Sequence, residues 1–293
     1  MTATIIDGNQ VAAEIRQELK ARVEKLGREG VVPGLAVILV GEDPASISYV
    51  TSKAKGAGEI GVHEETIRLP ASVSEEEVIQ TVQRLNNDPK FHGLLVQLPL
   101  PKHIDEKRVS HTIAAEKDVD AFLPVSVGKL LIGEPDFLPC TPHGVQQLLI
   151  RSGNDPSGKH VVICGRSNIV GKPLMAMLIQ KQKGANATVT MCHTGTRDMA
   201  HFTRQADILI AAAGSPYIIK ADMVKEGAVV IDVGVNRIPD ETRKSGFRLA
   251  GDVDFEAVKE KASFITPVPG GVGPMTVTML LMNTVVAAEK KRK

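Results

Sequence analysis

The stretch His160-Val-Val-Ile-Cys-Gly-Arg-Ser-Asn-Ile-Val-Gly-Lys-Pro173 decides the fold class. His160 to Cys164 is a short continuous apolar run, the pattern of a strand buried on both faces of a parallel sheet. It runs straight into Gly165, and helical spacing resumes from Ile169 to Gln182. Pro173 suits a first helical turn, where a missing N–H does no harm. A glycine turn between strand and helix lets backbone N–H groups approach a phosphate. The usual fingerprint has a second glycine where Ser167 stands, and its last glycine comes one position later here, at Gly171. The segment is therefore either a nucleotide loop or a plain strand-to-helix turn, and its context favours the first.

Working outward, Ala187 to Met191, Asp207 to Ala212 and Ala228 to Asp232 are further strands of the same sheet. After the 187–191 strand come Cys192-His193-Thr194-Gly195-Thr196-Arg197. A dinucleotide site for NAD places an acid there to hold the ribose 2′-hydroxyl. Hydroxyls at Thr194 and Thr196, with Arg166 in the glycine loop, suit a 2′-phosphate instead. NADP is thus favoured over NAD, unless Arg197 only caps a solvated helix face.

The first half repeats the alternation. Val11 to Gly27 has helical spacing, Gly34 to Val40 is a buried strand, and a helix starts at Asp43-Pro44. His63 to Leu69 and Gly93 to Leu98 are strands with a helix, Glu75 to Leu85, between them. This βαβαβ order predicts a second parallel sheet. Prolines 99, 101, 124, 135 and 139 break up the stretch that follows. A last helix from Pro274 has no strand after it, so it is expected to fold back on the first domain. The expectation is an α/β protein of two domains, residues 1–140 plus 272–293 and residues 141–271, with ligands in the cleft between the sheets.

Composition narrows the function. The 35 Lys+Arg against 34 Asp+Glu argue against a nucleic-acid binder. Aromatics at 3% leave no wall of stacking rings for single strands. Cys140, Cys164 and Cys192 form no C-x-x-C pair, so neither a zinc site nor a disulfide framework is expected, and a reducing compartment, the cytoplasm, is. The N-terminus lacks a signal-peptide pattern. No apolar run reaches the roughly 20 residues that span a bilayer. The basic end Lys290-Lys-Arg-Lys293 suits a helix dipole.

Four clusters stand out as candidate chemistry. Tyr49 and Lys53 lie four apart on one helix, within about 40° of each other; they form either a surface pair or a reactive face. Gln97 follows Leu94-Leu-Val96 at a strand's carboxyl end, where such folds bind ligands; it is either a structural amide or a group presented to the cleft. Lys117-Asp118-Val-Asp120 carries two loop carboxylates, either metal-binding or solvated, with no further ligand cluster beside them. Thr266-Pro-Val-Pro-Gly-Gly-Val-Gly-Pro-Met-Thr276 puts three glycines before the last helix, as an anion contact or a hinge.

Together these segments, with Ser48-Tyr49-Val50, Gly93-Leu-Leu-Val-Gln-Leu-Pro-Leu-Pro101 and Pro139-Cys-Thr-Pro142, resemble the bifunctional methylenetetrahydrofolate dehydrogenase/methenyltetrahydrofolate cyclohydrolase family. The resemblance spans most of the chain in order. It implies oxidation of methylenetetrahydrofolate by NADP+ and hydrolysis of the methenyl product to 10-formyltetrahydrofolate. It implies that Lys53 is the central catalytic residue, that Gln97 hydrogen-bonds it, that Tyr49 stacks on the folate and that Asp120 binds the pterin. Gly165, Arg166 and Ser167 would hold the cofactor, with Arg166 on the 2′-phosphate. Thr194 stands where the family often has Ser, and keeps the hydroxyl. Ile231 and the Pro267–Gly271 segment, including Pro269, Gly270 and Gly271, would lie near nicotinamide and substrate. The family is usually a homodimer paired through its nucleotide domain. Two rivals are a shikimate-dehydrogenase-like enzyme, which leaves Gln97 unexplained, and a nucleotide-sensing scaffold without turnover.

Overall fold

Why the chain adopts parallel sheets is visible in β2 (Gly34–Val40), whose seven residues are all buried. A strand apolar on both sides needs cover on both faces, and crossover helices supply it. The computed structural model describes residues 2–243 and 246–291. The basic terminal pair Arg292 and Lys293 lies outside the described residues.

In chain order, β1 (Thr4–Ile5) leads into α1 (Gly8–Arg28), then β2, α2 (Pro44–Ile60), β3 (His63–Leu69), α3 (Glu75–Asn87) and β4 (Gly93–Val96). The irregular connection carries α4 (Glu106–Ser110) and α5 (Pro124–Leu131). Then come α6 (Cys140–Arg151), β5 (His160–Cys164), α7 (Gly171–Leu178), β6 (Thr188–Cys192), α8 (Met199–Thr203), β7 (Ile208–Ala211) and β8 (Val229–Asp232). The antiparallel hairpin of β9 (Asn236–Pro239) and β10 (Phe247–Ala250), α9 (Phe255–Val258), β11 (Phe264–Ile265) and α10 (Val272–Lys291) complete the chain.

The chain divides into two units. One comprises Ala13–Cys140 with Val277–Lys293, built on the parallel sheet β3-β2-β4. The other comprises Met1–Ala12 with Thr141–Thr276, built on the parallel sheet β1-β11-β8-β7-β5-β6. The return of the last helix to the first sheet's unit matches the sequence reading. The first twelve residues differ from the expected 1–140 boundary: β1 pairs in parallel with β11, Thr4 opposite Phe264 and Ile5 opposite Ile265. A two-residue strand has no period to read, so only pairing reveals it.

Strand β4 stops at Val96, not Leu98, although the Gln97 amide still donates to Ile38 O at 2.9 Å. Pro99 and Pro101 cannot donate to a continuing ladder. The expectation of no membrane-length apolar segment is corrected by α10, which is long and apolar enough by composition to cross a bilayer. Thr276, Thr278, Asn283 and Thr284 interrupt its apolar run in sequence. Its apolarity is answered by protein: Met279, Leu280, Leu281, Val285 and Ala288 are all buried.

Helix α2 positions the site and starts where the sequence places it. The Asp43 carboxylate accepts from Ser46 N at 2.7 Å, Pro44 opens the first turn, and Gly61 closes the helix at φ 80°. Its buried stripe is Ser46, Val50, Lys53, Gly56, Ala57 and Ile60, the spacing of one helical face. Asp43→Ala should lower stability by about 1 kcal/mol, read as a fall in denaturant midpoint at unchanged m-value.

Candidate active site

In the first unit, α2 leaves the carboxyl end of β2 and turns Lys53 inward, where it is only 8% exposed. Tyr49, one turn earlier, stays 47% exposed beside it. The pair is therefore not a surface feature, because its ammonium is buried. Lys53 Nζ donates to Gln97 Oε1 at 3.0 Å. Gln97 has its own orientation fixed: Nε2 donates to Leu98 O at 2.8 Å, which turns Oε1 toward the lysine. Burial lowers the Lys53 pKa from its ordinary value, opposed by the negative charge of Asp120 and weaker influences from Cys140 and Glu64.

Asp120 is half-buried, and its pKa is raised by desolvation, with Lys53 opposing and Asp118 reinforcing the shift. Cys140 Sγ donates to Asp120 Oδ1 at 3.5 Å and to Val119 O at 3.4 Å. Burial first, then the Asp120 charge, pushes the Cys140 thiol well above its usual range, so it remains a donor. Asn283 of α10 completes the support, donating to Val119 O at 2.7 Å and Leu138 O at 2.8 Å.

The other two members of the Lys117–Asp120 motif are not solvated. Asp118 is buried and accepts from Ser126 Oγ at 2.7 Å and Leu123 N at 3.0 Å. It thereby holds the turn in which Ala121 takes φ 59°. A left-handed alanine persists only where its surroundings over-determine it. Lys117 is buried too, donating to Leu85 O at 2.8 Å and Asp88 O at 2.7 Å at the end of α3. Desolvation, with Lys291 adding to it, lowers its pKa to about 8. Among the described residues there is no group of three His, Cys, Asp or Glu side chains that could hold a metal ion.

In the second unit, β5 ends in the glycine loop as the sequence predicts, although α7 begins at Gly171 instead of Ile169. Ser167 explains the shift. Its Oγ accepts from Val170 N at 3.1 Å and Gly171 N at 3.4 Å, tying up the loop before the helix opens. Gly165 is required: it has φ 137°, and a Cβ there would lie 2.0 Å from Ala212 O. Arg166 and Ser167 are exposed beside it. The turn after β6 is closed by Thr196, whose Oγ1 accepts from His193 N at 3.0 Å, and Thr194 is exposed at its tip. Asp198, the next acid along, is occupied as the cap of α8, accepting from His201 N at 3.0 Å.

Two family models match successive parts of the chain. Residues 6–120 match the tetrahydrofolate dehydrogenase/cyclohydrolase catalytic domain, and residues 139–292 match the NAD(P)-binding domain of the same family. The chain belongs to the tetrahydrofolate dehydrogenase/cyclohydrolase family. It is 61% identical to the bifunctional protein FolD of Syntrophus aciditrophicus over 288 residues, 98% of each chain. Among solved structures it is similar to the FolD methylenetetrahydrofolate dehydrogenase/cyclohydrolase of Campylobacter jejuni, at TM-score 0.92, 48% identity and 99% of each chain. It is also similar to the Trypanosoma brucei methylenetetrahydrofolate dehydrogenase-cyclohydrolase, complexed with NADP cofactor and inhibitor, at TM-score 0.94 and 41% identity, covering 100% of this chain and 99% of that one.

Within this family fold, the remaining expected residues fall as follows. Ile231 is wholly buried near the end of β8, so its side chain packs the core. Pro269 is exposed, while Gly271 is buried, with Pro267 O only 2.6 Å from where a Cβ would stand. Thr266 Oγ1 accepts from Asp232 N at 2.8 Å and fixes the start of that segment. Sequence reasoning missed Asp232, Asp252 and the supports from Cys140 and Asn283. A buried Asn in an apolar helix was a readable signal for Asn283, since its amide must find partners there. The two aspartates, Asp232 at the end of β8 and Asp252 in a loop, had none, because acids at such positions are ordinarily solvated.

Proposed function

We propose that this chain oxidises 5,10-methylenetetrahydrofolate to 5,10-methenyltetrahydrofolate with NADP+ and then hydrolyses the product to 10-formyltetrahydrofolate. The observation that carries the reading is the buried Lys53 hydrogen-bonded to the half-buried Gln97, flanked by Tyr49 and Asp120, in a chain of this family. The glycine loop fits the cofactor: Gly165 and Gly171 allow close backbone approach, Arg166 offers a fork for a 2′-phosphate, and the nearest acid is spent on a cap. NADP+, when bound, supplies the two-electron acceptor for the oxidation.

The chain's own residues do the rest. Tyr49 offers a half-exposed ring on which a planar pterin stacks, and Asp120 holds it by hydrogen bonds. Orientation of this kind contributes much of the acceleration in a reaction that needs aligned planar partners. Hydrolysis needs proton transfer. A lysine serves only where its pKa is lowered, and burial does that at Lys53. The neutral amine takes one proton from the water as its oxygen bonds to the methenyl carbon and returns it to the departing ring nitrogen; the second water proton leaves to solvent as the C–N bond breaks and the formyl C=O forms. Gln97 Oε1 holds Nζ in place through both steps. A cationic methenyl substrate beside Nζ lowers its pKa further by like-charge repulsion.

The proposal places the enzyme in the cytoplasm as a homodimer acting on tetrahydrofolate substrates, without nucleic acid or membrane. Three free buried cysteines suit a reducing compartment. The test is a time course with methylenetetrahydrofolate, run separately with NADP+ and NAD+, quantifying reduced cofactor, methenyl and formyl products. The expected result is NADPH with formyl product. Methenyl product that disappears no faster than in an enzyme-free control would leave a dehydrogenase only.

A further inference from the structure

Two carboxylates that the proposed chemistry does not use are buried at the carboxyl end of the larger sheet. Asp252 is wholly buried and Asp232 is 3% exposed. Asp252 Oδ2 accepts from Ala213 N at 2.6 Å and Gly214 N at 2.9 Å. Its Oδ1 accepts from Ser215 N at 3.0 Å and Asn236 Nδ2 at 2.9 Å. Three consecutive amides after β7 are thus wrapped around one internal anion, in the manner of a backbone nest. Asp232 accepts from Gly234 N at 2.9 Å, Asp252 N at 3.0 Å and Val253 N at 2.9 Å. Its own amide donates to Thr266 Oγ1 at 2.8 Å, at the head of the Thr266–Gly271 segment. The two aspartates, through their side chains and the Asp232 amide, therefore tie together residues 213–215, 232–236, 252–253 and Thr266.

One of those segments bears on the glycine loop. The carbonyl of Ala212, immediately before the wrapped amides, lies 2.0 Å from where a Cβ of Gly165 would stand. The Ala212 amide donates to Cys164 O at 2.8 Å, the last residue before Gly165. Whatever fixes residues 213–215 fixes Ala212, and Ala212 sets the wall against which Gly165 turns.

We propose that Asp252, with Asp232 behind it, is a positioning residue for the nucleotide: it holds the Ala212–Ser215 loop and through it the glycine loop. This inference rests on the proposed use of NADP+. Burying two acids side by side is unfavourable, and desolvation, opposed by its backbone donors and reinforced by Asp252, raises the Asp232 pKa to about 6. Apolar side chains there would leave the backbone amides of 213–215, 234 and 253 without acceptors. The arrangement is explained if these loops must hold one geometry.

Asp252→Asn keeps the shape but turns an amide nitrogen or a single acceptor toward donors that face a carboxylate. Asn236→Ala removes one donor and leaves both acids. The measurements are calorimetric affinity for NADP+ and the rate of methenyltetrahydrofolate hydrolysis, which consumes no nucleotide. In Asp252→Asn, NADP+ affinity should weaken at least about tenfold more than hydrolysis falls, as the loss of charge-assisted bonds implies. Asn236→Ala should show the same split at smaller size. Affinity within about twofold of the unchanged protein in both variants, or hydrolysis falling in proportion to affinity, would overturn it. Should Asp252→Asn fail to fold, Asn236→Ala decides alone. If the unchanged protein binds NADP+ but does not oxidise methylenetetrahydrofolate, the proposed activity fails while the affinity comparison still reads the positioning role.

Discussion

Replacing Lys53 by methionine is expected to lower methenyltetrahydrofolate hydrolysis by at least about 100-fold, the lower range of what a positioned proton carrier contributes. Methionine has a similar length and suits a site that is only 8% exposed, so the helix should keep its packing. Affinity for NADP+ should be unaffected, because the glycine loop belongs to a different unit of the chain. The pH profile gives an independent reading. Burial lowers the Lys53 pKa, so its neutral form rises as pH climbs through that lowered value. Hydrolysis in the unchanged protein should therefore increase with pH along a limb whose midpoint lies below the ordinary lysine value of about 10.4. The Lys53→Met profile should lack that limb. A variant that hydrolyses at an undiminished rate with the limb intact would remove Lys53 from the mechanism.

The second large effect is expected at Gly165. Alanine there places a Cβ 2.0 Å from Ala212 O and 2.7 Å from Ala212 C, at φ 137°. Both are backbone atoms of a strand end and cannot swing aside. The glycine loop must shift, and we expect about 1–3 kcal/mol of lost stability together with at least about tenfold weaker NADP+ binding. Gly153→Ala separates the two causes. Gly153 also has positive φ, 77°, yet nothing lies within 4 Å of its Cβ position. That variant should lose stability by backbone strain alone and bind NADP+ normally. Equal nucleotide affinity in Gly165→Ala and Gly153→Ala would show that the close approach at Gly165 has no part in binding.

Much of this architecture could be read along the chain because its determinants are local. Strands such as Gly34–Val40 and His160–Cys164 announce themselves as apolar runs. Asp43-Pro44 carries a helix start in two residues. The order of these elements then restricts the topology to parallel sheets, since crossover connections permit little else. The strands β1 and β11, two residues each, and the β9–β10 hairpin escaped that reading. They are defined by partners far away in the chain, not by any period of their own.

The site divides in the same way. Residue types and spacing singled out Tyr49, Lys53, Gln97, the Lys117–Asp120 carboxylates and the glycine loop with their alternatives open, and the family resemblance supplied the roles expected of them. Tertiary structure decided which of them are buried and what they touch. Only the approach of β4 to α2 puts Gln97 Oε1 against Lys53 Nζ, and only burial lowers that amine's pKa. The same holds for the loop acids Asp118 and Asp252 and for Asp232 at the end of β8, none of which the sequence marks as an anchor. Hydrogen-bond partners up to 39 positions away make them internal anchors. Pattern along a chain reports what a residue can do; desolvation and partners, which come from segments distant in sequence, decide what it does.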